Sequence, residues 1–451
     1  MFTQHIGRIV KISRNKVAVL GLLKQGVYET STSKILITSS DCSLPEEAFQ
    51  ADFDVANFVT CLSFGIVLSG EPKIGDIVRQ ANEKCGDVGC GVEPIDSDIL
   101  FGSRHVAIIG GTGSGKTSLI MRAVEKFKGN GKIVILAYHP DLLELSVLPH
   151  VEVVQPKINI CDLDYQSLFM LLQFHRLSAE PVKMQRYLRM LLPIACKASK
   201  KFGEQSHEVL LDLLHILTML EDIEQSCKST ALVTDGKDIR ICRLRQLLEE
   251  ELGRLKYGAV KHLARSRDAE SINSLLMYSE MALTSNLFGE TKLLGDKPVT
   301  VVDITSALSL IVGQIEGRFA SILSLIFTQR IRENRTEPLY VVVDEFVALS
   351  SVEYIRQIFE LLLMQGRKFG IYLIVAGQPH PSIYDLLSNF PKVVLGRVAG
   401  SHSIKELATS LPNVPTEVLR VLPTLQPMEM IGVSADRILP FRVLHPSWRN
   451  V

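Results

Sequence analysis

One stretch of the sequence decides the fold, because it joins an apolar run, a glycine-rich loop and a helical pattern without a gap. It reads Arg-His-Val-Ala-Ile-Ile-Gly-Gly-Thr-Gly-Ser-Gly-Lys-Thr-Ser over residues 104–118. Glycines let consecutive backbone N–H groups turn inward around a phosphate, and the N-terminus of the following helix adds the positive end of its dipole. The spacing Gly-x4-Gly-Lys-Thr in this setting predicts a loop that binds nucleotide phosphates.

Each residue of this loop has a predicted role. Lys116 is expected to neutralise charge on the β- and γ-phosphates, and the Thr117 hydroxyl is expected to bind Mg²⁺. ATP and Mg²⁺ are the predicted ligands. The remaining contacts to them are predicted at Gly111, Thr112, Gly113, Ser114, Gly115 and Ser118.

A second apolar run, residues 339–343, ends in Asp344 and Glu345. Beside a phosphate loop, the first acid of such a pair holds Mg²⁺ and the second polarises the attacking water. The pair therefore predicts hydrolysis of ATP. An adenylate-kinase-like transferase fits less well, since Glu345 indicates water as the acceptor. A GTPase also fits less well, because the sequence has no Asn-Lys-x-Asp motif.

The sequence divides into a β-rich part and an α/β part. Residues 1–95 contain short Val- and Ile-rich runs between turn residues, a pattern typical of a small barrel or sandwich. In residues 96–451 apolar runs alternate with helical patterns, which predicts a parallel sheet covered by helices. Between about residues 161 and 290 the spacing is mainly helical, which indicates a helical insertion.

Composition excludes several classes of protein. The 451 residues are 46% hydrophobic and 22% charged, as in a packed globular chain. Lys and Arg number 49, and Asp and Glu also number 49, so any site for a polyanion must be local. The uncharged run 55–70 is too short and too polar for a transmembrane helix, and the first residues do not resemble a signal peptide.

The cysteines are scattered, without zinc-finger spacing. This predicts reduced thiols in a cytoplasmic protein, although a redox or metal pair at Cys85 and Cys90 stays open. The eight positions are 42, 61, 85, 90, 161, 196, 227 and 242.

With these motifs together, the sequence resembles the HerA branch of the HerA–FtsK superfamily of ring ATPases. The most discriminating match is Gln-Gly-Arg-Lys-Phe-Gly at residues 365–370, followed by an apolar strand and the Gln378-Pro379 turn. The other matches are the strand and loop at 104–116, the acidic strand end at 341–345, and barrel-type runs at 6–10 and 73–78. They span nearly the whole chain in the family's order.

The resemblance implies an α/β fold with a RecA-like P-loop ATPase core and a helical insertion, preceded by a small N-terminal β-barrel. It further implies a homohexameric ring with ATP bound between subunits and double-stranded DNA in the channel. A nuclease of the NurA type, or another effector, is the implied partner in DNA repair or defence. No membrane partner is expected.

Three further roles come from the resemblance. Ring ATPases place a cation from a neighbouring subunit on the transferring phosphoryl group, and Arg367 and Arg104 are the candidates for such arginine fingers. Gln378 is the candidate sensor of the γ-phosphate. His139 is predicted to have no role.

The sequence also departs from the family. Its second strand ends Ala137-Tyr138-His139-Pro140-Asp141, where the family has Asp-x-His-[Gly/Asn]-Glu, and His380 follows Pro379 where an Arg-Pro turn is usual. A ring scaffold that activates a partner enzyme with little translocation is therefore an alternative function. A conjugation or secretion motor is another.

No motif marks the DNA contacts. The basic helices of the insertion and the loop near Arg397 both stay open as sites of contact.

Overall fold

A computed structural model gives the fold of the chain. It describes residues 6–21, 23, 25–41, 62–80, 98–172, 181–219, 223, 225, 227, 236–254, 269–283, 287–304, 314–350, 352–412, 414, 416–434, 437–443 and 445–450. Cys85 and Cys90, left open above as a redox or metal pair, lie outside these residues.

The first six strands form a closed barrel in the order β1-β2-β5-β4-β3-β6. Its interior is filled by alternate apolar side chains, among them Ile9, Val19, Tyr28 and Ile35, all fully buried. The predicted barrel is confirmed, although the short β3 was not foreseen. The strands are β1 (Ile6–Ser13), β2 (Lys16–Leu20), β3 (Gly26–Glu29), β4 (Ser33–Asp41), β5 (Leu62–Gly70) and β6 (Ile77–Gln80).

The other nine strands form one sheet in the order β15-β14-β13-β7-β12-β11-β8-β10-β9. Strands β13, β7, β12, β11 and β8 pair in parallel, and β13, β14 and β15 pair antiparallel. The strands are β7 (Val106–Ile109), β8 (Lys132–Ala137), β9 (Val151–Val154), β10 (Val299–Asp303), β11 (Leu339–Val343), β12 (Ile371–Gly377), β13 (Lys392–Leu395), β14 (Glu429–Ser434) and β15 (Arg437–Arg442).

The central strands are apolar on both faces because helices cover the sheet. Val106, Ile108, Ile135 and Val342 are each at most 1% exposed. Helices of the α/β part begin and end as follows: α1 (Asp98–Phe101), α2 (Lys116–Glu125), α3 (Tyr165–Leu171), α4 (Pro181–Phe202), α5 (Ser206–Thr218), α6 (Gly236–Arg254), α7 (Ala269–Leu283), α8 (Gln314–Glu333), α9 (Phe346–Ser350), α10 (Glu353–Gln365), α11 (Pro381–Tyr384), α12 (Ser401–Ser410) and α13 (Thr416–Val421).

The chain forms two compact units. The first contains Met1–Glu152, Lys297–Val301 and Arg335–Val451, and the second contains Val153–Asp296 and Val302–Asn334. The second unit is mainly helical and includes α3 to α8, so it extends beyond the predicted insertion by the helix α8.

The described cysteines are paired, which corrects the prediction of reduced thiols for these four residues. Cys161 is bonded to Cys196, and Cys227 to Cys242, with Cα–Cα distances of 5.6 Å and 5.7 Å. Spacing along the chain could not show this, because the partners meet only once the helices pack. These residues therefore give no support to the predicted cytoplasmic location. No described helix has the length and apolar character needed to cross a lipid bilayer.

Candidate nucleotide site

The phosphate loop lies between β7 and α2, at the edge where the parallel strands end, called here the carboxyl edge. Gly113 and Gly115 have φ of 74° and 99°, in a backbone region that residues with a Cβ atom rarely adopt. A Cβ on Gly115 would lie 2.6 Å from the sulfur of Met428. Glycine is therefore required at this turn both by its φ and by the space available.

Three backbone hydrogen bonds hold the loop from outside. Gly110 N–H donates to the Gly377 carbonyl at 3.2 Å, and Gly111 N–H to the Arg397 carbonyl at 2.8 Å. Met428 N–H donates to the Ser114 carbonyl at 3.1 Å. The ends of β12 and β13 and the start of β14 thus shape the loop.

Lys116 is folded back onto the loop. Its Nζ donates to the carbonyls of Gly110 at 2.9 Å and Gly111 at 3.2 Å, and the residue is 8% exposed. Burial lowers the pKa of Lys116, while the charges of Asp344 and Glu345 oppose that shift. The lysine thus carries its positive charge next to the loop's inward-facing backbone.

The acidic strand end meets the loop directly. Asp344 follows the fully buried strand β11, is 2% exposed, and accepts a 2.9 Å hydrogen bond from Thr117 Oγ1. Burial raises the pKa of Asp344, and the hydrogen bond from Thr117 acts against that shift. The structure therefore brings together the two residues predicted to hold Mg²⁺.

These residues fit a magnesium nucleotide. A hydroxyl and a carboxylate are oxygen ligands of the kind Mg²⁺ prefers. Ser114 Oγ is buried in the loop and has no hydrogen-bond partner among the described residues, which is a cost that a bound phosphate oxygen would remove. Thr112 and Gly113 are exposed at the loop tip, and Ser118 is half-buried in the first turn of α2.

Glu345 has an unusual backbone conformation. Its φ is 64°, and its N–H donates to Asp344 Oδ1 at 3.1 Å. A non-glycine residue with positive φ costs free energy and is concentrated at functional sites. This turn places Glu345 at the carboxyl edge, directly after the buried Asp344.

His139, for which no role was predicted, lies beside Glu345. Its Nε2 is 3.8 Å from Glu345 Oε2, with the two side chains 49% and 22% exposed. The contact forms because β8 and β11 are parallel neighbours whose ends meet at the carboxyl edge. Ala137, at the family's acidic position, is fully buried, and Asp141 is exposed in the 3₁₀ helix Pro140–Val147.

Gln378 also lies at the carboxyl edge. It directly follows β12, the strand between β7 and β11, and it is exposed. The backbone of Gln378 therefore lies between the ends of the two strands that lead into the phosphate loop and Asp344. His380, two residues on, accepts a 3.2 Å hydrogen bond from Ser382 N–H and caps α11.

Arg104 and Arg367 lie at the opposite edge of the sheet, where β7 and β12 begin, called here the amino edge. Both are exposed. Between them lies His105, fully buried, whose Nδ1 accepts a 2.9 Å hydrogen bond from Leu373 N–H. Burial, and then the charge of Arg367, lowers the pKa of His105 to about 4. The path along β7 from Arg104 to Gly110 is about 20 Å, so the structure does not join these arginines to the phosphate loop of the same chain.

Comparison with known proteins agrees with this architecture. Residues 94–305 match the sequence family described as helicase HerA, central domain. The predicted resemblance to HerA is confirmed. The DNA double-strand break repair helicase HerA of Sulfolobus acidocaldarius is 23% identical over 353 residues, which cover 75% of this chain. The match covers 64% of that HerA protein, so the chain spans less than two thirds of its relative's length.

Solved structures of the HerA–FtsK superfamily share the fold. VirB4 of Thermoanaerobacter pseudethanolicus superposes with a TM-score of 0.51 at 15% identity, covering 77% of this chain and 90% of VirB4. The plasmid coupling protein TrwB, in a complex described as containing ADP and Mg²⁺, has a TM-score of 0.50 at 15% identity and covers 76% of this chain and 86% of its own. The predicted α/β fold with a RecA-like core is confirmed.

Proposed function

We propose that this HerA-type protein hydrolyses ATP and uses the energy to move double-stranded DNA through a homohexameric ring. The observation that supports this most is the 2.9 Å hydrogen bond from Thr117 to Asp344, the residue directly before Glu345. It joins the phosphate loop to an acidic strand end, as hydrolysis of a nucleotide requires.

The residues at the carboxyl edge have separate tasks. Lys116 and the loop N–H groups hold the phosphates, and Gln378 contacts the γ-phosphate. Glu345 accepts a proton from water as the water oxygen bonds to the γ-phosphorus and the bond to the β–γ bridging oxygen breaks, which yields ADP and phosphate. Thr117 and Asp344 would hold Mg²⁺, which would supply positive charge beside the reacting phosphoryl group.

Arg367 and Arg104 complete the site from a neighbouring subunit. Their exposure at the amino edge, about 20 Å along β7 from their own loop, supports action in trans. A ring in which the amino edge of each subunit faces the carboxyl edge of the next meets this requirement.

The name of the Sulfolobus relative supports DNA as the substrate. The ring works with a nuclease of the NurA type, or with another effector, in DNA repair or defence. Its location is the cytoplasm.

The test is ATP hydrolysis by the purified protein with and without linear duplex DNA, on particles sized by light scattering. We expect hexamer-sized particles whose hydrolysis is stimulated by DNA. Lys116→Ala and Glu345→Gln should each abolish hydrolysis and DNA movement, because they remove phosphate binding and water activation respectively. Glu353→Gln, a substitution of an exposed carboxylate at the start of α10, is the control and should behave as wild type. Full turnover in either site variant would refute the proposal.

One observation favours a second function, a nucleotide-regulated ring scaffold. Ala137 is buried where the family carries an acid, and β8 contains no acidic residue that could replace it. If the protein activates a partner enzyme equally well as wild type and as Glu345→Gln, and wild type moves no DNA, the scaffold is correct and translocation is wrong.

A further inference from the structure

The helix α4 has an unusual charge. Its 22 residues include six lysines and arginines and no aspartate or glutamate, although the whole chain is balanced at 49 basic and 49 acidic residues. Positive residues clustered on one helix are the electrostatic signature of a site for a polyanion. The six are Lys183, Arg186, Arg189, Lys197, Lys200 and Lys201.

Most of these cations lie on one face of α4. The exposed positions 182, 186, 189, 193, 197 and 200 recur every three or four residues, so they line a single stripe of the helix. From Arg186 to Lys200 the stripe is about 21 Å long, at 1.5 Å per residue. The opposite face, with Leu188, Leu191 and Ala195, is fully buried. The helix therefore presents its charge to solvent and its apolar side to the protein.

Two contacts along the helix fix it in place. The disulfide from Cys196 to Cys161 ties α4 to the preceding 3₁₀ turn Ile160–Asp162. The Arg189 guanidinium lies 4.0 Å from the centre of the Tyr165 ring. The array of cations is thus carried on a rigid element, which lowers the entropic cost when a ligand binds.

Helix α6 shows what a basic helix looks like when its charge is used internally. Arg240 forms ion pairs with Glu204 at 2.9 Å and Asp212 at 2.6 Å, and Arg245 pairs with Glu249 at 3.0 Å. On α4, Lys197 pairs with Glu251 at 2.7 Å, but the helix contributes no carboxylate of its own. The sequence of α6 thus contains carboxylates beside its cations, whereas the sequence of α4 contains none.

We infer that the exposed face of α4 binds the phosphate backbone of duplex DNA. The inference rests on the proposed function and gives its ring a specific DNA-contacting surface. Lysine and arginine side chains along a helix neutralise phosphates and release the counterions condensed on DNA, without reading sequence. The stripe needs no acidic or aromatic residue for this task, and it has none among its exposed positions.

The test measures binding of a labelled duplex of about 30 base pairs by fluorescence anisotropy over a range of salt concentrations. Two variants remove exposed cations from separate parts of α4: Arg186→Gln with Arg189→Gln on the stripe, and Lys200→Gln at its end with the adjacent Lys201→Gln. The matched control, Arg243→Gln with Arg332→Gln, removes two exposed cations from α6 and α8. Thermal unfolding midpoints check that all three fold.

Each α4 variant should weaken binding at least about tenfold at 0.1 M salt, equally for unrelated sequences. Each should also make the slope of log K against log salt shallower, by about one for every DNA phosphate that the variant no longer neutralises. The control should match wild type. An α4 variant with the wild-type slope, or a control that weakens as much as the α4 variants, overturns the inference and leaves the proposed function standing.

Two other outcomes are distinct from these. If wild type binds no duplex at any salt concentration, both the proposal that DNA is the substrate and the inference about α4 are wrong. The proposal of ATP hydrolysis is tested separately with Lys116→Ala. If wild type binds polyglutamate more tightly than duplex at equal ionic strength, the face of α4 serves an acidic protein and the inference is wrong.

Discussion

The two edges of the nine-stranded sheet are built in opposite ways. At the carboxyl edge, Lys116, Thr117 and Asp344 are wholly or largely buried and are held by hydrogen bonds. At the amino edge, Arg104 and Arg367 are exposed around a buried histidine. One edge is organised within the chain, and the other offers cations to solvent. Under the proposed function, the two edges are half-sites, and two copies of the chain would complete one site.

The largest effect is expected for Arg367→Ala. Loss of a trans-acting arginine lowers kcat by about 10³–10⁵-fold, whereas ATP binding should change little, because Lys116 and Asp344 remain in place. Hydrolysis and nucleotide affinity measured on the same sized particles will separate the two effects. Lys368→Ala, which removes the neighbouring exposed cation, is the matched control and should retain turnover.

Mixing subunits of two inactive variants tests whether Arg367 acts in trans. A particle assembled from Arg367→Ala and Glu345→Gln subunits contains interfaces where an intact Glu345 meets an intact Arg367. Hydrolysis should reappear on mixing, although each variant alone is inactive. No recovery after verified subunit exchange would place Arg367 in its own chain's site, and the contrast between the edges would lose its functional meaning.

A smaller effect is expected for Gln378→Ala. Gln378 directly follows Gly377, whose carbonyl accepts the hydrogen bond from Gly110 N–H. The side-chain amide of Gln378 can therefore contact a γ-phosphate without disturbing the loop. Removing one preorganised donor costs about a hundredfold in kcat. His380→Ala, two residues further on, removes a helix cap and should change stability more than turnover. Equal losses of kcat in the two variants would count against a sensor role.

The parts of the fold that local sequence determines were predictable. The apolar run before the loop, Gly113 and Gly115 at the turn, and the acids after β11 each follow from chemistry within a few residues. Strand order is a different matter, because no local signal places β8 beside β11. The contact between His139 and Glu345 was therefore missed, and His139 was predicted to have no role.

Pairing between distant residues was equally hidden. The cysteines at 161 and 196 appeared scattered, and they meet only when α4 packs on the preceding turn. The basic residues of α4 and α6 looked alike in the sequence. In the structure, Arg240 and Arg245 of α6 form ion pairs, and so does Lys197 of α4. Charge in a sequence shows where cations are, but only the fold shows which of them are already compensated.

The smallest expected effect is on the stability of the amino edge and does not involve turnover. His105 is buried and neutral beneath Arg367, with a pKa lowered to about 4 from an ordinary 6.5. The folded state therefore disfavours the protonated form relative to the unfolded state. The free energy of unfolding should fall as the pH drops from about 6.5 to about 4, by roughly 3 kcal/mol in total, and this contribution should level off below that pH.

Carboxylates titrate over the same range, so the measurement is a difference between wild type and His105→Gln. Glutamine can still accept the hydrogen bond from Leu373 N–H but cannot be protonated. Urea unfolding at pH 7, 5.5 and 4 should show that the variant loses less stability than wild type on acidification. Parallel curves for the two proteins would mean that His105 is protonated in the fold at little cost. In that case the charge of Arg367 would be directed away from the buried ring.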